Sequence, residues 1–179
     1  YIAVSYGEDL TESNSFGGIC MDLKELQSIL TIGETVAVEF KRCGNGIEND
    51  TYETVCSFLN RFGGDLFMGV LDDGSVLGVP EKAASDMVKN FIKVISNPVL
   101  FSPTIYLVPE IIKYDEKRTI IHVHIPPSAE VHSYRKVIYD RVDDADVKVT
   151  ATGAIAQMYI RKQGVFTERK IFPYVKMED

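Results

Sequence analysis

Three histidines, three cysteines and a late group of basic residues are the side chains of this 179-residue chain whose types and spacing could do chemistry. His122 and His124 stand two apart on a stretch that alternates as a strand does, so both point to one face and, with His132, offer imidazoles to a metal. No cysteine or carboxylate follows at ligand spacing, and the two are read instead as solvent-facing strand histidines. Cys20, Cys43 and Cys56 form no C-x-x-C pair and are odd in number, which argues against a disulfide framework or a zinc cluster and suits a reducing cytoplasm. The stretch His132-Ser133-Tyr134-Arg135-Lys136, followed by Tyr139 and Arg141, interleaves aromatic rings with cations. Such a stretch can contact phosphates and stack bases, or can be a polar loop and strand edge. No G-x-x-x-x-G-K-[ST] run exists, so nucleotide hydrolysis of the P-loop kind has no support.

Charge is distributed unevenly behind these residues. The net charge is −7, which by itself disfavours a phosphate-binding protein. Residues 1–90 carry 6 Lys/Arg against 15 Asp/Glu, whereas residues 91–179 carry 13 against 11. The acidic half is net −9 and the second half net +2. The second half can therefore hold a basic strip on an acidic protein, or merely a solvated face. No stretch approaches the ~20 apolar residues of a membrane span, and no contact with a membrane is expected.

The elements that must position these residues follow from periodicity. Asp22 is a candidate cap for a short helix over Leu23–Leu30. Val36–Lys41 alternates as a strand, with Val36, Val38 and Phe40 on one face and Glu39 and Lys41 on the other. Asn49 or Asp50 can cap a helix carrying Tyr52, Val55, Cys56, Leu59 and Phe62, which stops at Gly63-Gly64. Asp65–Leu71 reads as a buried strand that returns through Asp72–Ser75 to pair with Val76–Val79. In that strand Phe67, Gly69 and Leu71 should oppose Leu66, Met68 and Val70. A helix is expected over Glu81–Ile95, then strands near Ile105–Tyr114, Thr119–Ile125, Val137–Val142 and Val147–Val149, and a last helix over Gly153–Lys162. Helices interspersed among hairpin-connected strands predict an α/β (α+β) fold, a mixed and largely antiparallel sheet with helices packed on it. The expected organisation is an N-terminal extension over residues 1–22, one domain over 23–163, and a tail from 164 to 179 that leads to a missing C-terminal region. The chain opens on Tyr1 with no signal-peptide pattern and is expected to be a piece of a longer protein.

Three blocks stand in order along this framework. They are Gly33-Glu34-Thr35-Val36-Ala37-Val38-Glu39-Phe40-Lys41, then Ser57-Phe58-Leu59-Asn60-Arg61-Phe62-Gly63-Gly64, then Met68-Gly69-Val70-Leu71-Asp72-Asp73-Gly74-Ser75-Val76-Leu77-Gly78-Val79. Together they resemble the Schlafen/AlbA-type domain, a module assigned to DNA binding at the front of many bacterial transcriptional regulators. The resemblance extends more faintly to Val123–Pro127 and to Tyr139-Asp140-Arg141. Thr35, Ser57 and Leu71 depart from the residues common in that family.

The resemblance implies a nucleic-acid-binding module, DNA more than RNA, of a bacterial transcriptional regulator in the cytoplasm. Its candidate contacts are Lys41, Arg135, Lys136, Tyr139 and Arg141. Some eukaryotic Schlafen relatives, similar in this segment, cleave structured RNA with two Glu and one Asp acting through a divalent metal. Carried over by motif, those positions are Glu34, Glu39 and Asp72, which would serve as both catalytic and metal-binding residues. No cofactor is expected otherwise; Mg²⁺ or Mn²⁺ belongs only to this ribonuclease alternative. Each carboxylate also has an ordinary reading: Glu39 can pair with Lys41, Asp72 suits a tight turn, and Glu34 can be a solvated loop charge. A third reading is a protein-interaction or homo-oligomerisation module, which the net charge of −7 favours.

Overall fold

The computed structural model of the chain describes residues 21–171. The expected irregular segment 1–20, Cys20 and the terminal Lys176 lie outside the described residues. Helix α1 (Leu23–Ile32) is followed by strand β1 (Val38–Lys41), helix α2 (Asn49–Asn60), strand β2 (Gly64–Met68) and helix α3 (Glu81–Ile95). Strands β3 (Phe101–Ser102), β4 (Glu110–Lys113), β5 (Thr119–Ile125), β6 (Ser133–Tyr134), β7 (Ile138–Val142) and β8 (Ala145–Val149) precede helix α4 (Thr152–Ile171). The main sheet runs β1-β2-β5-β4, with β1 and β2 parallel and the other pairs antiparallel; β3–β6 and β7–β8 form separate two-stranded sheets. This is the mixed, largely antiparallel α+β architecture expected from the sequence.

Strand alternation divides the core into two layers. Leu66 and Met68 of β2, with Ile121, Val123 and Ile125 of β5, face Val55, Phe58 and Leu59 of α2 and Met87, Phe91 and Ile95 of α3. Phe67, Phe40 and Ile120 point the other way, onto Leu26 and Leu30 of α1. Because β1 alternates, Phe40 joins the α1 layer while Glu39 and Lys41 are turned to the opposite face, as expected. That geometry places two charged side chains inside the fold.

Two glycines fix how these elements join. Gly63 follows α2 at φ 76°, its N–H bonding Phe58 O at 2.9 Å, and a Cβ on it would lie 2.5 Å from Ile125 O. The turn out of α2 therefore needs glycine for its backbone and for its clearance. Gly69, at φ 98°, corrects the expected hairpin. Both Gly69 N and Val70 N bond Lys41 O, at 2.7 and 3.3 Å, so the strand kinks and its alternation is broken. Val70 consequently joins Phe67 in the α1 layer and not Leu66 and Met68. The return segment meets it through an antiparallel Val70–Val76 bridge around the Asp72–Ser75 turn, with Leu71 N–H donating to Ser75 O and Gly69 O accepting from Leu77 and Gly78. Two further expectations are corrected at element ends. The strand placed over Ile105–Tyr114 is confined to Glu110–Lys113, and the last helix runs through Gly164 to Ile171 instead of giving way to a tail.

Candidate nucleic-acid interface

Arg141, one of the expected phosphate contacts, is built into the protein's interior. Its side chain is fully buried; Nη2 meets Glu39 Oε2 at 2.6 Å and Nη1 meets Asp146 Oδ1 at 2.9 Å. Nη2 also donates to Thr35 O at 3.2 Å, and the guanidinium lies 5.0 Å from the Phe58 ring centroid. Asp146 in turn accepts from the hydroxyls of Ser57 and Thr54 on α2. Lys41 Nζ sits 2.6 Å from the second oxygen of Glu39 and 3.3 Å from Asp50. Tyr139 is buried as well, its hydroxyl donating to Glu53 at 2.8 Å. These residues tie β1, α2, β7 and β8 into one block, so Arg141 and Tyr139 are corrected from ligand contacts to structural residues. Lys41 is largely spent on two carboxylates.

The carboxylate trio does not assemble. Glu39 is held between two cations, and Glu34 Oε1 accepts the Phe40 N–H at 3.0 Å, closing part of the β1 edge. Asp72 is exposed on its turn. Partial burial, with the charges of Glu39 and Asp72 nearby, raises the Glu34 pKa above the ordinary carboxylate value, against the Phe40 N–H and Lys41. The three are therefore electrostatic neighbours. Among the described residues, however, no group of three His, Cys, Asp or Glu side chains is placed to hold a metal ion. The residues present do not fit the divalent metal of the ribonuclease alternative.

The histidines separate. Asp65 Oδ1 receives both His122 Nε2 at 2.9 Å and His124 Nδ1 at 3.0 Å, so those two do share a face. His122 is not solvent-facing as expected: it is buried and stacked on Phe67 at 4.7 Å between centroids. His132 lies apart from them, between Pro103 O at 2.9 Å and Ser128 Oγ at 2.7 Å.

Arg135 and Lys136 are the expected contacts that remain exposed. They form the two-residue turn between β6 and β7, closed by Tyr134 N to Val137 O at 2.9 Å and Val137 N to Tyr134 O at 3.0 Å. Both have left-handed backbone, φ 50° and 68°. A turn of this kind is made most easily by Asn-Gly, and a side chain in that region costs roughly 1–2 kcal/mol per residue. Among the described residues neither cation has a carboxylate within ion-pair distance. The Arg135 guanidinium rests 5.5 Å from the Tyr134 ring centroid.

Sequence reasoning passed over two buried polar anchors. Asn60, fully buried, donates from Nδ2 to His132 O at 2.9 Å and Tyr139 O at 2.8 Å, and accepts the His132 N–H at 2.8 Å. It lies four residues after Cys56 on the apolar stripe of α2, a polar residue at a core position, and that was the available signal. Lys162 lies four residues after the buried Met158 on α4 and donates to Leu59 O at 2.5 Å and Ser128 O at 2.7 Å. Burial, helped by the charge of Arg161, pushes this amine down to about 8.

That shift gives a signed pH effect. Folded Lys162 loses its proton near 8, whereas an unfolded lysine holds it to about 10.4. At this site the unfolded chain thus binds more protons from about pH 7.5 upward, and the Lys162 contribution to stability rises with pH, by roughly 0.7 kcal/mol from about pH 7.5 to 8.5. Unfolded thiols ionise around pH 8.5, so the buried Cys43 thiol, pushed up to about 11, and the buried Cys56 thiol, pushed up to about 12, act in the opposite sense over the same window and offset that gain. Denaturant titrations from about pH 7.5 to 8.5 should therefore show a nearly level unfolding free energy, and one that falls with pH in the Lys162→Gln variant.

The fold and this arrangement define an α+β domain with a buried ionic block and an exposed cationic turn at Arg135-Lys136. Residues 34–150 match the model of the Schlafen, AlbA_2 family, and the chain belongs to that family. No curated protein matches it. It is similar to the DIP2311 protein from Corynebacterium diphtheriae at 18% identity and a TM-score of 0.53, over 79% of this chain and 32% of that one. The chain thus spans about a third of that protein's length. The N-terminal domain of a RecG-related protein from Nitrosomonas europaea is similar at 18% identity and a TM-score of 0.42, over 59% of this chain and 70% of that one. No helix among the described residues is long and apolar enough to cross a membrane.

Proposed function

We propose that this chain is a nucleic-acid-binding module, directed to DNA, of a bacterial transcriptional regulator. Family membership supports the class. The observation that carries the reading is the Arg135-Lys136 turn. Two adjacent cations occupy strained left-handed positions, stay exposed and lack carboxylate partners. By contrast, Lys41, Arg61, Arg141 and Arg161 are each paired with a carboxylate. Strain retained at an exposed site is a mark of function, because an easier sequence exists for the same backbone. The turn delivers two point charges to phosphate oxygens, with Tyr134 fixing the guanidinium from below.

The test separates fold from function. Replacing Arg135 by Asn and Lys136 by Gly together should stabilise the turn by about 1 kcal/mol, since that pair relaxes the backbone. The same variant should bind duplex DNA more weakly, equally for every sequence. The slope of log K against log salt should shrink by roughly one to two, at about 0.9 per lost phosphate contact. A variant that is more stable and binds unchanged would remove the turn from the interface.

A further inference from the structure

A cavity of about 490 Å³ opens beside the same turn, between α3 and the segment Gly46–Asn49. Its size falls within the range of small-molecule sites, well above that needed for an inorganic anion. Lys93 and Arg135 stand on its wall, and its lining contains no carboxylate, on a protein whose net charge is −7. Three amides, Asn49, Asn90 and Asn97, also line it, and two of them are already half committed. Asn97 Oδ1 accepts the Val99 N–H at 2.9 Å, and Asn49 Oδ1 accepts the Tyr134 hydroxyl at 2.9 Å. Both carbonyl oxygens being spent, each amide has its NH₂ donors left to offer. Two cations and two amide donors thus face a space without an anionic acceptor, which selects a ligand rich in acceptor oxygens. Ile47, Val94 and Leu100 supply an aliphatic side to the same cavity. A ligand that fills both halves has an anionic end and a flat or apolar body.

We propose that this cavity binds one phosphorylated nucleotide, free or as the end of a strand, with its phosphate on Lys93 and Arg135 and its sugar and base along the aliphatic side. The strand-end source rests on the nucleic-acid-binding reading above; the free nucleotide does not. In that case the turn and the cavity act in sequence along one path: Lys136, which does not line the cavity, meets the backbone of a nucleic acid whose end enters beside Arg135.

Adenosine monophosphate, inorganic phosphate, and hexathymidylate with and without terminal phosphate should be titrated into the chain while backbone amide resonances are followed. The expected result is saturable movement of the Ile47, Asn49, Val94 and Leu100 signals with the mononucleotide or the phosphorylated hexamer. Lys93→Glu, at an exposed position in the last turn of α3, should weaken that binding at least tenfold while lowering the unfolding midpoint by no more than about 4 °C, the loss of one favourable charge at a helix C-terminus. Tighter binding of the phosphorylated hexamer than of the mononucleotide supports the strand end, and the reverse order supports a free nucleotide. Inorganic phosphate binding as tightly as the mononucleotide overturns the proposal, as does no movement at these residues at millimolar probe, or binding indifferent to Lys93→Glu. Duplex binding sensitive to Lys136→Ala in the face of such a failure leaves the nucleic-acid reading standing without the cavity. Mononucleotide binding without any affinity for oligonucleotides or duplex leaves the cavity standing without that reading.

Discussion

Replacing Arg141 by Met is expected to destabilise the fold by about 3–5 kcal/mol, the cost of leaving a buried charge without its partner. The guanidinium is fully buried and bridges Glu39 to Asp146, which belong to β1 and β8. Its removal leaves Glu39 with Lys41 alone and Asp146 with the hydroxyls of Thr54 and Ser57. Two carboxylates would then face an interior that cannot hydrate them. The midpoint of thermal unfolding should fall by on the order of 10 °C for a domain of this size. Urea denaturation read by circular dichroism checks this. The triple variant Arg141→Met, Glu39→Leu, Asp146→Leu should recover a large part of the loss, because an ion group removed whole and replaced by apolar side chains costs far less than one broken in half. An Arg141→Met protein of unchanged stability, with weakened DNA binding, would instead return Arg141 to the role of a ligand contact.

Asn60→Leu is expected to cost about 3 kcal/mol or more. Three buried backbone groups, His132 O, Tyr139 O and His132 N, bond this one amide, and His132 O also accepts from the Cys56 thiol at 3.3 Å. Each buried group left unpaired costs roughly 1–3 kcal/mol. The near-isosteric Asn60→Asp should be worse than Asn60→Leu at neutral pH, since an anion would face two carbonyl oxygens. Because Asn60 joins the end of α2 to the segment leading into the Arg135-Lys136 turn, hydrogen exchange in Asn60→Leu should quicken first at His132 and at residues 133–137. Uniform acceleration across the whole chain would show that the amide supports global stability and has no particular hold on the turn.

The layers of this fold were legible in the sequence because they depend on periodicity. Val38 and Phe40 on one face of β1, and Ala84, Met87, Phe91 and Ile95 along α3, take the positions that spacing assigned them. Gly63 at the end of α2 was legible for a different reason, since a left-handed residue after a helix has few alternatives. What escaped was set by contacts distant in sequence. Nothing local to Arg141 says that Glu39, 102 residues earlier, will meet it, so a buried cation and a surface cation look alike in composition. The kink at Gly69 escaped similarly: Lys41 O, which takes both N–H groups, lies on the neighbouring strand. Within the basic aromatic stretch, the type and order of residues were visible, but not which of them would face solvent. Burial divides that stretch into Tyr139 and Arg141 inside, and Arg135 and Lys136 outside.

The most direct measurement is a titration of the isotopically labelled chain with a short DNA duplex, followed by amide resonances at low salt. The largest movements should fall on Tyr134, Arg135, Lys136 and Val137, with Leu100, whose carbonyl accepts the Arg135 N–H at 2.7 Å, moving beside them. They should fade together as salt is raised. Movements absent at every residue, or concentrated around Glu34 and Asp72 while the turn stays still, would contradict an interface at that turn.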